Sequence, residues 1–220
     1  MIKHIVTVLI AIIAVSGCSD NKSYQTAICG LIDISGTYAD QKSEVVQILK
    51  RGILPNLSPG DSIFFITIDS NSYDEENLKG QMTLDFIPSK ANNQKLAFAE
   101  LLDEFADQKS KAKFTDISGA MMLCADYLKN TGSGTQAMMI FSDMKEELQA
   151  GLSRDFSKEE FKDMHISAMN VIKLGQDSSN PEVYRSRLSA WEKRVTDAGA
   201  ASWNTIIDPT KIPEYIENLK

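Results

Sequence analysis

Five oxygen-bearing side chains in this chain have the chemistry of metal ligands. Each lies just past an apolar run or at the start of a predicted helix: Asp33, Ser35, Thr37, Thr115 and Asp143. Two carboxylates and three hydroxyls, with no imidazole or thiolate among them, are the ligands that a hard divalent cation such as Mg²⁺ prefers. The first three alternate along one loop, so their side chains can face the same ion.

Alternating strands and helices must position these side chains. Apolar runs and period-2 patterns predict strands at 26–32, 62–68, 81–87, 136–141, 165–172 and 203–207. Period-3.6 patterns with capping residues predict helices at 40–51, 92–108, 116–129, 183–198 and 212–219. This order is typical of an α/β fold: a doubly wound, mostly parallel six-stranded sheet with helices on both faces. The strand at 81–87 alternates apolar and polar residues, which predicts one antiparallel edge strand.

The carboxyl ends of parallel strands meet at one edge of the sheet, which brings distant loops together. In open α/β sheets, binding sites form there, at the point where the strand order reverses. We expect strands 26–32 and 136–141 to be neighbours at that point. Their following loops contain 33–37 and 142–143, and Thr115 arrives from a third loop.

Three motifs follow one another along the chain, each at a predicted strand end or helix start: Asp33-Ile34-Ser35-Gly36-Thr37, then Thr115-Asp116-Ile117-Ser118-Gly119-Ala120, then Asp143. This set resembles the metal-ion-dependent adhesion site of von Willebrand factor A-type (vWA) domains, which have a Rossmann-like fold. The resemblance implies that Ser35, Thr37 and Thr115 coordinate Mg²⁺, with Mn²⁺ or Ca²⁺ as alternatives, while Asp33 and Asp143 hold its waters. It also implies an open ligand position, filled by a Glu or Asp carboxylate of a partner protein.

Two positions depart from the family pattern. Thr37 replaces the commoner Ser and keeps the hydroxyl. Met144 follows Asp143 where many members have Gly, which puts the shape of the loop above the metal in question. Asp116 begins a repeat of the first motif's letters but lacks the last hydroxyl, so we interpret it as a first-turn carboxylate that complements the helix dipole.

The N-terminus has the pattern of a bacterial lipoprotein signal. A short basic region precedes an apolar run at 5–15, and Val15-Ser16-Gly17-Cys18 resembles a lipobox, in which the Cys thiol is diacylated. A membrane-spanning anchor is the alternative, but the run is shorter than the roughly 20 apolar residues that a spanning helix needs. We therefore predict a signal peptide at 1–17, a lipidated Cys18 with a short tether at 18–25, and one vWA-like domain at 26–220. Ser19 favours the periplasmic face of the outer membrane in a two-membrane envelope.

Cys29 and Cys124 are the remaining cysteines. An extracytoplasmic address permits a disulfide between them. Two small buried thiols are the simpler interpretation, and we favour it, because the sequence does not give their separation.

Composition and motif content narrow the function. With 23 Lys+Arg against 30 Asp+Glu and a formal net charge of −7, the chain has no basic stretch that could track phosphates, so we expect no nucleic-acid partner. No motif pairs His165 with a nucleophile. A metal-assisted hydrolase would lack a second metal cluster and any general base beyond the ligand carboxylates, so we expect no enzyme. The predicted function is a lipid-anchored protein that binds a partner protein through a cation-bridged carboxylate, in adhesion or in scaffolding of an envelope complex. The alternative is a metal-independent interaction module of an envelope, conjugation or secretion assembly, binding through its edge strand or helices.

Overall fold

The computed structural model describes residues 23–109 and 112–220. The predicted signal peptide at 1–17 and the predicted lipid attachment at Cys18 lie outside these residues. Across the two described ranges, no helix is both long and apolar enough to cross a bilayer.

Six strands and six α-helices make up the described chain. The strands are β1 (Thr26–Asp33), β2 (Ser62–Ile68), β3 (Leu78–Thr83), β4 (Thr135–Phe141), β5 (Met164–Met169) and β6 (Ser202–Ile206). The helices are α1 (Lys42–Ile48), α2 (Pro88–Asp107), α3 (Ile117–Asn130), α4 (Gly175–Ser179), α5 (Pro181–Asp197) and α6 (Ile212–Leu219). A 3₁₀ turn at Gly36–Gln41 leads into α1, and a π turn at Leu49–Ile53 follows it.

The strands form one sheet in the order β3-β2-β1-β4-β5-β6. β1 pairs in parallel with β2 on one side and β4 on the other, and β3 is antiparallel to β2. The strand order therefore reverses between β1 and β4, which confirms the predicted neighbours. The predicted fold class, a mostly parallel six-stranded sheet with an antiparallel edge strand, is also confirmed.

The core lies on both faces of the sheet, as the continuous apolar strands require. Alternate residues of β1 divide between two clusters. Ala27, Cys29 and Leu31 pack with residues of α3 and α5. Ile28 and Ile32 pack with residues of α1, α2 and α6 on the opposite face. This period-2 division explains why β1 has no polar side chain between its two ends, Thr26 and Asp33.

Cys29 and Cys124 form a disulfide, with their Cα atoms 6.2 Å apart. Our preference for two separate buried thiols was therefore wrong. Cys29 faces α3, and α3 packs directly over β1, so the two thiols meet in the core. The 95 residues between them in the sequence conceal this proximity.

The edge strand begins and ends earlier than the predicted 81–87. β3 covers Leu78–Thr83 because the chain turns at Asp85, whose carboxylate accepts a hydrogen bond of 2.8 Å from the amide of Ile87. Pro88 then begins α2. The alternating pattern thus continued past the strand into a turn.

Helix α2 buries only part of the apolar series that helical spacing selects in the sequence: Leu96, Ala99, Leu102, Phe105 and Ala106. Leu102 and Phe105 are buried as expected, whereas Leu96 is 65% exposed and Phe98, outside that series, is 4% exposed and belongs to the core. The buried positions of α2 are Ala91, Phe98, Leu102 and Phe105. The helix begins four residues earlier than predicted. Leu96 lies about 140° around the helix from the buried Ala91, which places it on the solvent side.

Candidate metal centre

Asp33 lies at the carboxyl end of β1 and accepts three hydrogen bonds. Its Oδ1 accepts from the amide of Ser35 at 2.9 Å and from the Ser35 hydroxyl at 2.5 Å. Its Oδ2 accepts from the hydroxyl of Ser142 at 2.6 Å. The carboxylate is therefore fixed by donors from two loops, which follow β1 and β4.

Thr115 reaches the same place from a third loop. Its Oγ1 lies 2.6 Å from the Oγ of Ser35. Two backbone hydrogen bonds with Glu147, at 2.8 and 3.0 Å, hold the Thr115 backbone in position. The structure thus brings Asp33, Ser35 and Thr115 together, as the sequence predicted.

Asp143 lies on the loop after β4, directly beyond Ser142. Its Oδ1 accepts a hydrogen bond of 2.8 Å from the amide of Lys145. Its side chain is mostly buried, and its charge interacts with that of Asp33. Asp143 therefore belongs to the same group of side chains.

Thr37 follows Gly36 in the 3₁₀ turn after β1. Gly36 has φ of +48°, a left-handed conformation that suits glycine, and this bends the chain sharply after Ser35. The structure describes the backbone of Thr37 but not its side chain, so its role as a ligand stays a prediction.

Ser142 is a site residue that the sequence analysis did not select. Besides donating to Asp33, its Oγ accepts a hydrogen bond of 3.0 Å from the amide of Met144. The available signal was a hydroxyl residue between a buried strand and Asp143. Because it lies outside the recognised motif letters, it was treated as part of the loop.

Burial makes both carboxylates costly to ionise. Burial raises the pKa of Asp33 from 3.8 to about 6, against the opposing effect of its hydrogen bonds from Ser142 and Ser35. Burial likewise raises the pKa of Asp143. The donors that stabilise the charge of Asp33 are neutral hydroxyl and amide groups. A bound cation would supply the missing positive charge.

Comparison with known proteins places this arrangement in a fold family. No family model matches the sequence, and no curated protein matches it. Among solved structures, the chain is similar to a von Willebrand factor type A protein from Catenulispora acidiphila, with a TM-score of 0.51, 9% identity, and coverage of 89% of this chain and 42% of that one. The chain has the fold of a von Willebrand factor A-type domain.

Two more solved structures share this vWA fold with the chain. One is the pilus adhesin SpaC from Lactobacillus rhamnosus GG, with a TM-score of 0.54, 13% identity, and coverage of 90% of this chain and 30% of that one. The other is a mutant of the PilB minor pilin from Streptococcus sanguinis, with a TM-score of 0.52, 6% identity, and coverage of 90% and 61%. The chain thus spans less than two thirds of the length of each of these three proteins.

The side chains of the candidate metal centre fit a hard divalent cation. The described donors are oxygens of two carboxylates and of the hydroxyls of Ser35 and Thr115, which lie within hydrogen-bond distance of each other. Among the described residues, no group of three or more His, Cys, Asp or Glu side chains is arranged so that it could hold a metal ion. A site of this kind would hold Mg²⁺ through hydroxyls, carboxylates and retained waters, and its composition is unlike that of common zinc sites.

Asp116 stabilises the start of the helix that follows Thr115. It is the N-cap of α3 rather than a first-turn residue, and its Oδ1 accepts a hydrogen bond of 2.8 Å from the amide of Gly119. Its fully buried carboxylate also pairs with Arg154, at 2.8 Å from Nη2. Since Asp116 is adjacent to Thr115, this pairing holds the start of α3 and the backbone next to Thr115.

Met144 keeps the backbone conformation that a glycine would adopt. Its φ is +62°, in the left-handed region, although it carries a side chain. Its carbonyl accepts a hydrogen bond of 2.9 Å from Nε1 of Trp191 on α5. The side chain is 1% exposed and packs in the core cluster with residues of α3 and α5. The departure from the family pattern at Met144 is therefore accommodated by burial of the side chain.

Proposed function

We propose that this chain is a lipid-anchored envelope protein whose vWA-fold domain binds a partner protein through a divalent cation. The cation, Mg²⁺ in the first instance, is bound at Asp33, Ser35, Thr37, Thr115 and Asp143. A Glu or Asp carboxylate of the partner completes its coordination. The observation that carries the proposal is the 2.6 Å approach of the Ser35 and Thr115 hydroxyls beside the buried carboxylate of Asp33.

The charge balance of the site favours an additional acidic ligand. The carboxylate of Asp33 already accepts three hydrogen bonds, so part of its charge is engaged by protein donors. Asp143 also accepts a backbone hydrogen bond. A cation held mainly by neutral hydroxyls and waters keeps an attraction for a further anion. An acidic side chain of another protein supplies that anion.

A binding role is favoured over an enzymatic one. His165 lies at the start of β5, at the end of the sheet away from the candidate metal centre, and its Nδ1 lies 2.9 Å from the Ser202 hydroxyl. It is therefore not placed to act as a general base at the candidate centre. The similar structures named as a pilus adhesin and a minor pilin support an adhesive or scaffolding role.

The proposed cellular location follows from the N-terminal sequence pattern. Residues 1–17 direct export, Cys18 is acylated, and residues 18–25 tether the domain at 26–220 to the membrane. In an envelope with two membranes, Ser19 directs the protein to the periplasmic face of the outer membrane. The partner is then another envelope protein.

Direct metal titration tests the central claim. The purified mature domain is titrated calorimetrically with MgCl₂, beside the Asp33→Ala and Thr115→Ala variants. We expect saturable one-to-one binding to the unmodified domain and strongly weakened binding to both variants. Folded domain that does not bind Mg²⁺, Mn²⁺ or Ca²⁺ refutes the proposed centre.

A pull-down from envelope extract tests the bridge to a partner. The domain is used as bait with Mg²⁺ and, in parallel, with chelator, and Thr115→Ala is the matched bait. Capture that requires Mg²⁺ and the intact site supports the bridge. Capture that survives chelator, but is lost when the exposed edge residues Lys79, Gln81 and Thr83 are changed, favours the metal-independent module instead.

A further inference from the structure

The candidate metal centre and the point where the chain enters the domain lie at opposite ends of the sheet. The carboxyl end of β1 bears the candidate metal centre, so the chain enters the domain at the opposite end, through Gln25 and Thr26. β3 runs antiparallel to β2, and its last residue, Thr83, pairs with the first residue of β2, Ser62. The turn at 84–87 therefore lies at the end of the sheet where the chain enters.

Exposed apolar side chains occupy this entry end. Phe86 is 71% exposed and Ile87 is 50% exposed, while Tyr24 is 97% exposed. Phe86 and Gln25 both lie beside Gly60. A Cβ added at Gly60 would be 2.7 Å from Cε1 of Phe86 and 3.2 Å from Cγ of Gln25, so Phe86 is close to the point where the chain enters the sheet. The three exposed side chains thus all belong to segments at the entry end of the sheet, and we call this set the entry tip: Tyr24, Phe86 and Ile87.

The turn that presents Phe86 and Ile87 is well braced. The amide of Asp85 donates a hydrogen bond of 2.7 Å to Oε1 of Gln94, and the Asp85 carboxylate accepts from the amide of Ile87 at 2.8 Å. Pro88 then restricts the backbone at the first turn of α2. A braced turn that exposes Phe and Ile suggests a partner for those side chains.

The length of the tether identifies that partner as the lipid surface. Cys18 precedes Tyr24 by only six residues, which span at most about 20 Å when fully extended. An acylated Cys18 therefore keeps the entry end of the sheet within about 20 Å of the bilayer surface. Aromatic and aliphatic side chains held this near a bilayer gain free energy by entering its interfacial region.

We propose that the entry tip rests in the interface of the bilayer that holds the Cys18 lipid, so that the candidate metal centre faces away from the membrane. This proposal rests on the lipid anchor of the proposed function. Seven steps of about 3.3 Å separate Thr26 from Asp33 in β1, so the centre stands about 23 Å above the entry end of the sheet. The domain is then oriented on the membrane, with its binding end presented to proteins in the surrounding space.

The test uses the full lipidated chain reconstituted in liposomes. Phe86→Cys is labelled with an environment-sensitive fluorophore, and Ile87→Cys gives an independent second label at the entry tip. Lys145→Cys is the control at the opposite end, since the Lys145 side chain is 48% exposed near the candidate centre. Lipids with a spin label at the top of the acyl chain quench only fluorophores at the interface.

We expect quenching at residues 86 and 87 to exceed quenching at residue 145 severalfold. Equal, weak quenching at all three positions, in protein that floats with the liposomes, overturns the membrane contact and leaves the anchor standing. Protein that does not float overturns the anchor and this proposal together, whereas cation binding is measured separately by titration. The two failures are therefore distinguishable.

Discussion

The hydroxyl oxygen of Thr115 lies 2.6 Å from that of Ser35, although 80 residues separate them in the sequence. Thr115→Val removes this hydroxyl while nearly conserving shape. If both hydroxyls bind the cation, we expect the affinity for Mg²⁺ to fall about ten- to hundredfold. Calorimetric titration of the purified domain measures the change.

A second hydroxyl pair offers a matched control for Thr115→Val. The hydroxyls of Ser62 and Thr83 lie 2.8 Å apart at the opposite end of the sheet. Thr83→Val should leave the affinity for Mg²⁺ unchanged. Equal losses in both variants would attribute the effect to general destabilisation rather than to a lost ligand.

The raised pKa of Asp33 predicts how stability depends on pH without a cation. Because burial raises this pKa from 3.8 to about 6, the folded state binds more protons than the unfolded state between these values. The stabilising effect of protonation is complete below about pH 4 and is lost as pH rises through about 6, a loss on the order of 3 kcal/mol. Asp33→Asn should remove this part of the pH dependence in urea unfolding with chelator present. Identical pH profiles for the two proteins would contradict the assignment.

The ion pair of Arg154 with Asp116 predicts a large loss of stability. Asp116 has a fully buried side chain, so Arg154→Met leaves a buried charge without its partner. We expect the free energy of unfolding to fall by about 3 kcal/mol, with partial recovery when Asp116→Asn is added. Urea denaturation followed by circular dichroism measures both changes.

Arg185 supplies the control for the Arg154 variant. It pairs with Glu182 on α5, where the two side chains are 67% and 71% exposed. Arg185→Met should change the free energy of unfolding by less than about 1 kcal/mol. A loss as large as that of Arg154→Met would show that burial is not what distinguishes the two pairs.

The disulfide between Cys29 and Cys124 predicts a loss of stability on reduction. It closes a loop across a separation of 95 residues, and removing such a link costs about 4 to 5 kcal/mol in the chain-entropy estimate. Urea unfolding of the oxidised and reduced domains should therefore show well-separated midpoints. A Cys29→Ala/Cys124→Ala variant should behave like the reduced domain. Coincident midpoints would contradict a disulfide that stabilises the fold.

Much of the fold could be predicted because it depends on local pattern. Continuous apolar runs predict β1 and β2, and capping residues predict α3. Because neighbouring parallel strands run in the same direction, their carboxyl ends lie at the same edge of the sheet. The predicted bounds of the edge strand and of the start of α2 lay too far along the chain, because the alternation of apolar and polar residues continues through the turn at Asp85. Leu96 was misassigned because apolar residues occur around much of α2, so their spacing alone did not identify the face that packs against the sheet.

The residues of the candidate site that belong to a sequence motif could be predicted. Those that reach the site only through packing of the fold could not. Asp33, Ser35 and Thr115 were selected by type and spacing. Ser142 and Arg154 were not, because their contacts arise only when loops from different strands meet. The disulfide was missed for the same reason, since it depends on how closely α3 packs over β1.

Strand β1 connects the membrane-facing end of the domain to the candidate metal centre, which determines how the domain bears a pulling force. The chain enters this strand at Thr26, and the strand delivers Asp33 to the candidate centre. If the membrane holds one end and a partner pulls on the other, tension runs along this single strand. The covalent backbone of β1 carries this tension. Load taken up by Asp143, on the loop after β4, reaches β1 only through the hydrogen bonds between the two strands, which lie across the direction of pull and therefore bear it together in shear.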